Sequence, residues 1–166
     1  MPVAYGGQSQ QRWGDNTLNS SEYIRDFYLT DISAQPRSTA AVRKAGKMLV
    51  VAFFRTTDAV CQRTLPTLQK LADAYADAGK LEVWAISQDD REATAAFAEQ
   101  RSIKFPLLLD RDQWYSMTFG VSTVPTTYLV DSKGLVQKKL VGFDSAGLNE
   151  ISVRIAAFLE REAVPV

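Results

Sequence analysis

The 166-residue chain carries a single thiol, Cys61, within the stretch Arg55-Thr56-Thr57-Asp58-Ala59-Val60-Cys61-Gln62-Arg63. A lone cysteine forms no internal disulfide, so any redox cycle must take its second sulfur from a low-molecular-weight thiol, a thiol reductant or a partner protein. The chain has no histidine. Histidine triads, histidine proton relays and ordinary zinc sites are therefore excluded. No phosphate-binding glycine pattern occurs, and no metal or cofactor is expected.

Asp58 stands three residues before Cys61, where a helical period begins. Its carboxylate can accept the backbone N–H of Val60 or Cys61 as an N-cap, and its charge suits the positive helix end. Cys61 then falls in the first helical turn, where free backbone N–H groups favour a thiolate. Asp58 opposes this by like-charge repulsion, inward-pointing Arg55 and Arg63 would restore the balance, and burial would raise the thiol pKa again. Two readings of Cys61 stand side by side: a reactive thiol, and a small buried core residue.

The elements that must position this turn follow from the hydrophobic periods. Residues 1–22 are polar and rich in Gln, Ser, Gly and Asn, which predicts a loose arm ahead of one domain over 23–166. Asp26 to Thr30 is expected to be a short strand, and Ser38 to Lys44 a brief helical turn ending at Gly46. Met48 to Phe54 is continuously apolar and partly β-branched, the pattern of a strand covered on both faces. Over 59–78 the period becomes helical, with Leu65, Leu68, Leu71, Ala72 and Tyr75 on one side and Gly79 as the stop. Leu81 to Ile86 is a second buried strand. Asp90 to Arg101 reads as a helix with Ala93, Ala96 and Phe97 inward, the acidic group Asp89, Asp90 and Glu92 marking its start. Phe105 to Leu109 is extended and Gln113 to Phe119 a short helix. Thr126–Val130 and Leu135–Val141 flank Asp131-Ser132-Lys133-Gly134, an antiparallel hairpin signal. Leu148, Ile151, Ile155, Phe158 and Leu159 mark a closing amphipathic helix. Trp84, Trp114, Phe97 and Tyr128 are expected in the core, and Asp110-Arg111-Asp112 in a solvated loop.

Nineteen basic residues balance nineteen acidic ones, so nothing points to a nucleic-acid partner. The 46% apolar content is enough for a full core without disulfides or metal. No apolar run approaches the roughly 20 residues of a membrane span. The start, MPVAYGGQSQQRW, lacks the charged beginning and apolar centre of a signal peptide. A cytoplasmic chain is expected on this sequence, and an exported one if a signal or anchor once preceded it.

Four segments in this order resemble the thioredoxin-like redoxins, the group that includes the TlpA-type thiol–disulfide oxidoreductases and the AhpC/TSA peroxiredoxins. They are Asp26 to Asp31 followed by Gly46-Lys47, Val51 to Pro66, Phe105 to Asp110, and Phe119 to Asp131. The resemblance spans about residues 26–160. It implies an α/β thioredoxin fold with a central mixed sheet, helices on both faces and a redoxin-type N-terminal extension. It also implies a cis Val124–Pro125 bond, and a groove lined by Val124, Pro125 and the loop of Arg55, Thr56, Thr57, Ala59, Val60 and Arg63. Relatives carry Trp-Cys-x-x-Cys where this chain has Thr57-Asp58-Ala59-Val60-Cys61. Asp58 stands in the attacking cysteine's place and Cys61 in that of the second, more buried one. Peroxiredoxins carry Thr-x-x-Cys here with a proline upstream, and this chain has Asp58 and Phe54 instead. The resemblance thus implies the fold and two functions. One is a single-cysteine oxidoreductase or antioxidant thiol protein, using Cys61 and Asp58 with an external resolving thiol. The other is a redox-inactive module that binds a protein or peptide in the groove.

Overall fold

The computed structural model describes residues 22–166. The polar arm expected over 1–22 lies, apart from Glu22, outside the described residues. Met48–Phe54 forms the central strand, β3, and all seven of its side chains are buried. Met48, Val50, Ala52 and Phe54 join one core, while Leu49, Val51 and Phe53 join the other. A strand covered on both faces has no polar side to present, which is why its sequence is apolar without alternation.

Before it come β1 (Tyr28–Thr30), β2 (Pro36–Ser38) and α1 (Thr39–Lys44); after it come α2 (Ala59–Ala74), β4 (Leu81–Ser87) and α3 (Arg91–Arg101). The chain continues through β5 (Leu107–Leu109), α4 (Trp114–Thr118), β6 (Thr126–Val130), β7 (Val136–Val141) and α5 (Ser145–Leu159). The main sheet has the order β5-β4-β3-β6-β7, and β1 pairs with β2 in a separate hairpin. β4 and β5 run parallel to their neighbours, whereas β6 and β7 pair antiparallel. Leu65, Leu68 and Leu71 of α2, Phe97 of α3, and Ile151 and Ile155 of α5 fill the core on one face. Val42 of α1, Phe27, Trp84 and the part-buried Tyr115 and Phe119 fill the other. This is the thioredoxin fold, a mixed sheet with helices on both faces.

Four expected placements differ, one of them Phe158 of the closing stripe, which is 37% exposed. Trp114 is 60% exposed, because α4 has only five residues and its inward side is taken by Tyr115 and Ser116; Trp114 lies edge-on against Tyr115 at 4.8 Å. Ala96 is exposed and Thr94 is buried in its place. Burial of that hydroxyl costs little, since Thr94 Oγ1 donates to the Asp90 carbonyl and pairs with Ser87 Oγ at 2.7 Å. Asp110 is 3% exposed instead of solvated. Its carboxylate accepts the N–H groups of Tyr115 and Ser116, serving the start of α4 from outside the helix.

The turn between β1 and β2 hangs on another buried carboxylate. Asp31 accepts Ser33 N–H at 2.8 Å, Gln35 N–H at 3.0 Å and Arg37 Nε at 3.0 Å. Burial pushes its pKa up, but these donors outweigh it and hold the carboxyl below its ordinary value. A depressed carboxylate stabilises the fold above the ordinary range and loses that contribution as pH falls through the folded pKa. Asp31→Ala is expected to cost about 1–3 kcal/mol in urea denaturation at neutral pH. The gap to the unaltered protein should shrink below about pH 4; a gap independent of pH would assign the effect to something other than the charge.

Candidate functional site

The loop that leaves β3 is fixed by side chains from β4 and its continuation. Thr56 N–H donates to Asp89 Oδ2 at 2.7 Å, and Asp89 N–H donates to Ser87 Oγ at 3.1 Å. Gln88 N–H continues the ladder to the Phe54 carbonyl, and Arg55 Nη2 donates to Gln88 Oε1 at 3.0 Å. From the other side Gln62 Nε2 donates to the Thr56 carbonyl. Asp58 is the N-cap of α2 and accepts Cys61 N–H at 2.8 Å. The first turn of α2 therefore has its orphan donor satisfied by a carboxylate at the position where relatives carry a nucleophile.

Cys61 is fully buried and belongs to the α2/α5 core. Burial pushes its thiol pKa up to about 12, with the Asp58 charge and hydrogen bond adding to the rise; the Arg55 backbone and guanidinium work the other way and are outweighed. Arg63 does not restore the balance, because its guanidinium lies over the Phe143 ring at 4.2 Å. Thr57, Ala59 and Val60 are exposed and Thr56 half-buried, so the rim of the turn faces solvent while the sulfur does not.

The opposite wall comes from β6 and β7. The Val124–Pro125 bond is cis. Phe53 pairs with Thr126 at the end of the ladder, and Val124 and Pro125 directly precede Thr126, just beyond the last paired residue. Val124 packs against both cores, including the one that holds Cys61. The Pro125 carbonyl accepts Gly142 N–H at 2.8 Å, which brings Phe143 and its stacked Arg63 to the same edge. Of the ten residues expected at the site, Arg55 to Asp58 form the loop after β3, Ala59, Val60, Cys61 and Arg63 lie at the start of α2, and Val124 and Pro125 directly precede β6. Sequence reasoning missed Gln88, Asp89 and Phe143. Gln88 and Asp89 could have been found from the abrupt change to polar residues after the apolar run of β4. Phe143 gave no comparable signal. Among the described residues no three acidic or thiol groups converge as metal ligands.

A thioredoxin fold whose turn between β3 and α2 carries an aspartate and one buried cysteine is the class defined by these observations. The sequence profile of the AhpC/TSA family matches residues 21–139, and the chain belongs to that family. It is 31% identical to the thioredoxin-like protein YneN of Bacillus subtilis over 129 residues, 75% of this chain and 73% of that one. It is 28% identical to the thiol-disulfide oxidoreductase ResA of Bacillus thuringiensis over 118 residues, covering 70% of this chain and 66% of ResA. The fold is shared with a thiol:disulfide interchange protein of Chlorobium tepidum at a TM-score of 0.71 and 19% identity, over 86% of this chain and 99% of that one. No helix among the described residues is long and apolar enough to cross a membrane.

A buried thiol keeps its proton in the folded state after the unfolded chain has lost it. Stability should therefore fall as pH rises from the ordinary thiol value of 9.0 towards about 12, with a limiting slope of about 1.4 kcal/mol per pH unit. Cys61→Ala removes this part of the slope, and denaturation curves of both proteins across that window measure the difference. Equal slopes would mean that Cys61 ionises as readily folded as unfolded. Asp58→Ala is expected to cost about 1 kcal/mol through the lost cap, while Asp58→Asn should cost less because Asn caps equally well.

Proposed function

We propose that this protein is a redox-silent thioredoxin-fold binding module, whose groove between the 55–60 turn and the Val124–Pro125 loop holds an extended polypeptide. The carrying observation is the state of Cys61, fully buried and with its pKa pushed up to about 12. The thiolate is the nucleophile in thiol chemistry, so at neutral pH almost none of the reactive form is present. Asp58, in the attacking position, caps a helix and offers no sulfur. The groove itself retains what backbone recognition needs. Beside the cis Val124–Pro125 bond it has a rim of exposed Thr57 and Val60, and main-chain pairing along such a wall gives affinity without electron transfer.

A second reading is favoured by the family and by the position of Cys61 at the active-site turn. In it the turn opens, the Cys61 thiolate attacks a disulfide sulfur, and the mixed disulfide is resolved by an external thiol that carries away the bound sulfur. An antioxidant variant has the thiolate reduce a peroxide to an alcohol or water and become a sulfenic acid, which two external thiols then return to the thiol. Both require the cap and the core around Cys61 to be disrupted in each cycle, which counts against them.

Panning a library of displayed extended peptides against the intact protein separates the readings. Binders should be recovered and should hold Cys61→Ser as tightly as the unaltered protein. Val60→Asp, on the exposed rim, should weaken them about tenfold, equivalent to about 1.4 kcal/mol. Insulin reduction without added thiol should be absent. No recovered binder, or binding that disappears with the Cys61 sulfur, would overturn the module.

A further inference from the structure

Among the described residues, six cations sit in ion pairs: Arg37, Arg43, Lys47, Lys138, Arg154 and Arg161 each meet a carboxylate within 3.2 Å. Other cations are held by neutral partners, among them Arg91 by the Ile32 carbonyl and Arg101 near the Phe97 ring; of these, Arg55 and Arg63 are the two that flank the Asp58–Cys61 turn. Arg63 is stacked on Phe143 at 4.2 Å, a contact that orients the guanidinium without cancelling its charge.

Arg55 is anchored by a chain that runs into the protein. Its Nη2 donates to Gln88 Oε1, Gln88 Nε2 donates to Ser116 Oγ at 3.0 Å, and Ser116 Oγ donates to Asp110 Oδ2 at 3.0 Å. Gln88, Ser116 and Asp110 are 9%, 2% and 3% exposed. Each donor and acceptor in this chain is fixed by the next, ending on a carboxylate that can only accept. The amide of Gln88 therefore cannot flip without breaking two bonds, the one to Ser116 buried and the one from Arg55 part-buried. Of the five Arg55 N–H donors, one is engaged by Gln88, and the side chain is exposed. The nearby carboxylates are turned elsewhere: Asp58 faces Cys61 N–H and Asp89 faces Thr56 N–H.

We infer that the groove takes an acidic polypeptide segment, whose carboxylates are met by Arg55 and Arg63, with Gln88, Ser116 and Phe143 as positioning residues. This rests on the binding reading above and names the chemistry of its partner. An arginine already held in one place loses less freedom on binding, and its planar fork matches a carboxylate. Neutral anchors leave the charge available for that purpose.

The test is side-chain NMR of the intact protein labelled with nitrogen-15 arginine, titrated with sodium acetate against sodium chloride at equal ionic strength. The Arg55 and Arg63 guanidinium signals should shift saturably with acetate and not with chloride, while the paired Arg43 and Arg161 stay in place. Gln88→Leu should weaken the acetate response of Arg55 several-fold and spare Arg63; Phe143→Leu should do the reverse, so each variant controls for the fold of the other. An acetate response no larger than that to chloride would overturn the inference. So would responses unaltered by both variants, or a shift with inorganic phosphate where acetate gives none. Because acetate is not a polypeptide, failure of the groove reading would show as absent peptide capture with the acetate response intact.

Discussion

β3 is hydrogen-bonded on both edges and covered on both faces, and everything functional in this molecule follows from that confinement. With β4 on one side, β6 on the other and a core against each face, the strand can present residues to solvent only beyond its carboxyl end. The loop it releases there must turn at once into α2, because Leu65, Leu68 and Leu71 have to reach the core on one face. Asp58 makes that turn possible by taking up the Cys61 N–H. The neighbouring strands deliver Gln88 and Asp89 from β4, and Val124 and Pro125 from β6, to the same edge. The site is thus a product of strand register more than of any local motif.

The same confinement decides the chemistry. In this family's architecture the first turn of α2 is where a thiolate is stabilised. Here the N–H of Cys61 is already taken by the Asp58 carboxylate, and the thiol is packed in the core. Burial and the Asp58 charge act in one direction, and the Arg55 contribution is too small to reverse them. With Asp58 at this turn Cys61 is the one sulfur of the chain that is a thiol, and burial, with the Asp58 charge and hydrogen bond adding to it, holds its pKa up. The Val124–Pro125 loop is held by the Gly142–Pro125 backbone bond, which does not involve the sulfur.

Much of the framework can be read from the sequence because it depends on short-range patterns. The unbroken run Met48 to Phe54, the Leu65-Leu68-Leu71 stripe and the Asp-Ser-Lys-Gly turn each specify an element within a few residues, and β3, α2 and the β6–β7 hairpin follow them. The cap on Cys61 was equally local. What the sequence hid were contacts that no hydrophobic period announces, near or far along the chain. Asp110 looks like a solvated loop residue until Tyr115 and Ser116 are folded back over it. Arg63 looks free to approach Cys61 until Phe143, eighty residues on, offers its ring. Trp114 looks like core until a five-residue helix proves too short to bury it together with Tyr115. In each case a tertiary contact overrode a preference that was sound for the isolated segment.

The account stands or falls on whether the folded protein hides its thiol. The most direct measurement is the rate of Cys61 alkylation by iodoacetamide in the native protein as a function of pH, set against the same reaction in denaturant. A buried, protonated thiol reacts only through opening of the structure. Native labelling should then be slower than the unfolded control by orders of magnitude, and should speed up when denaturant lowers stability. Native labelling as fast as the control or faster, saturating near neutral pH as an activated thiolate does, would contradict the buried thiol and restore Cys61 as the nucleophile.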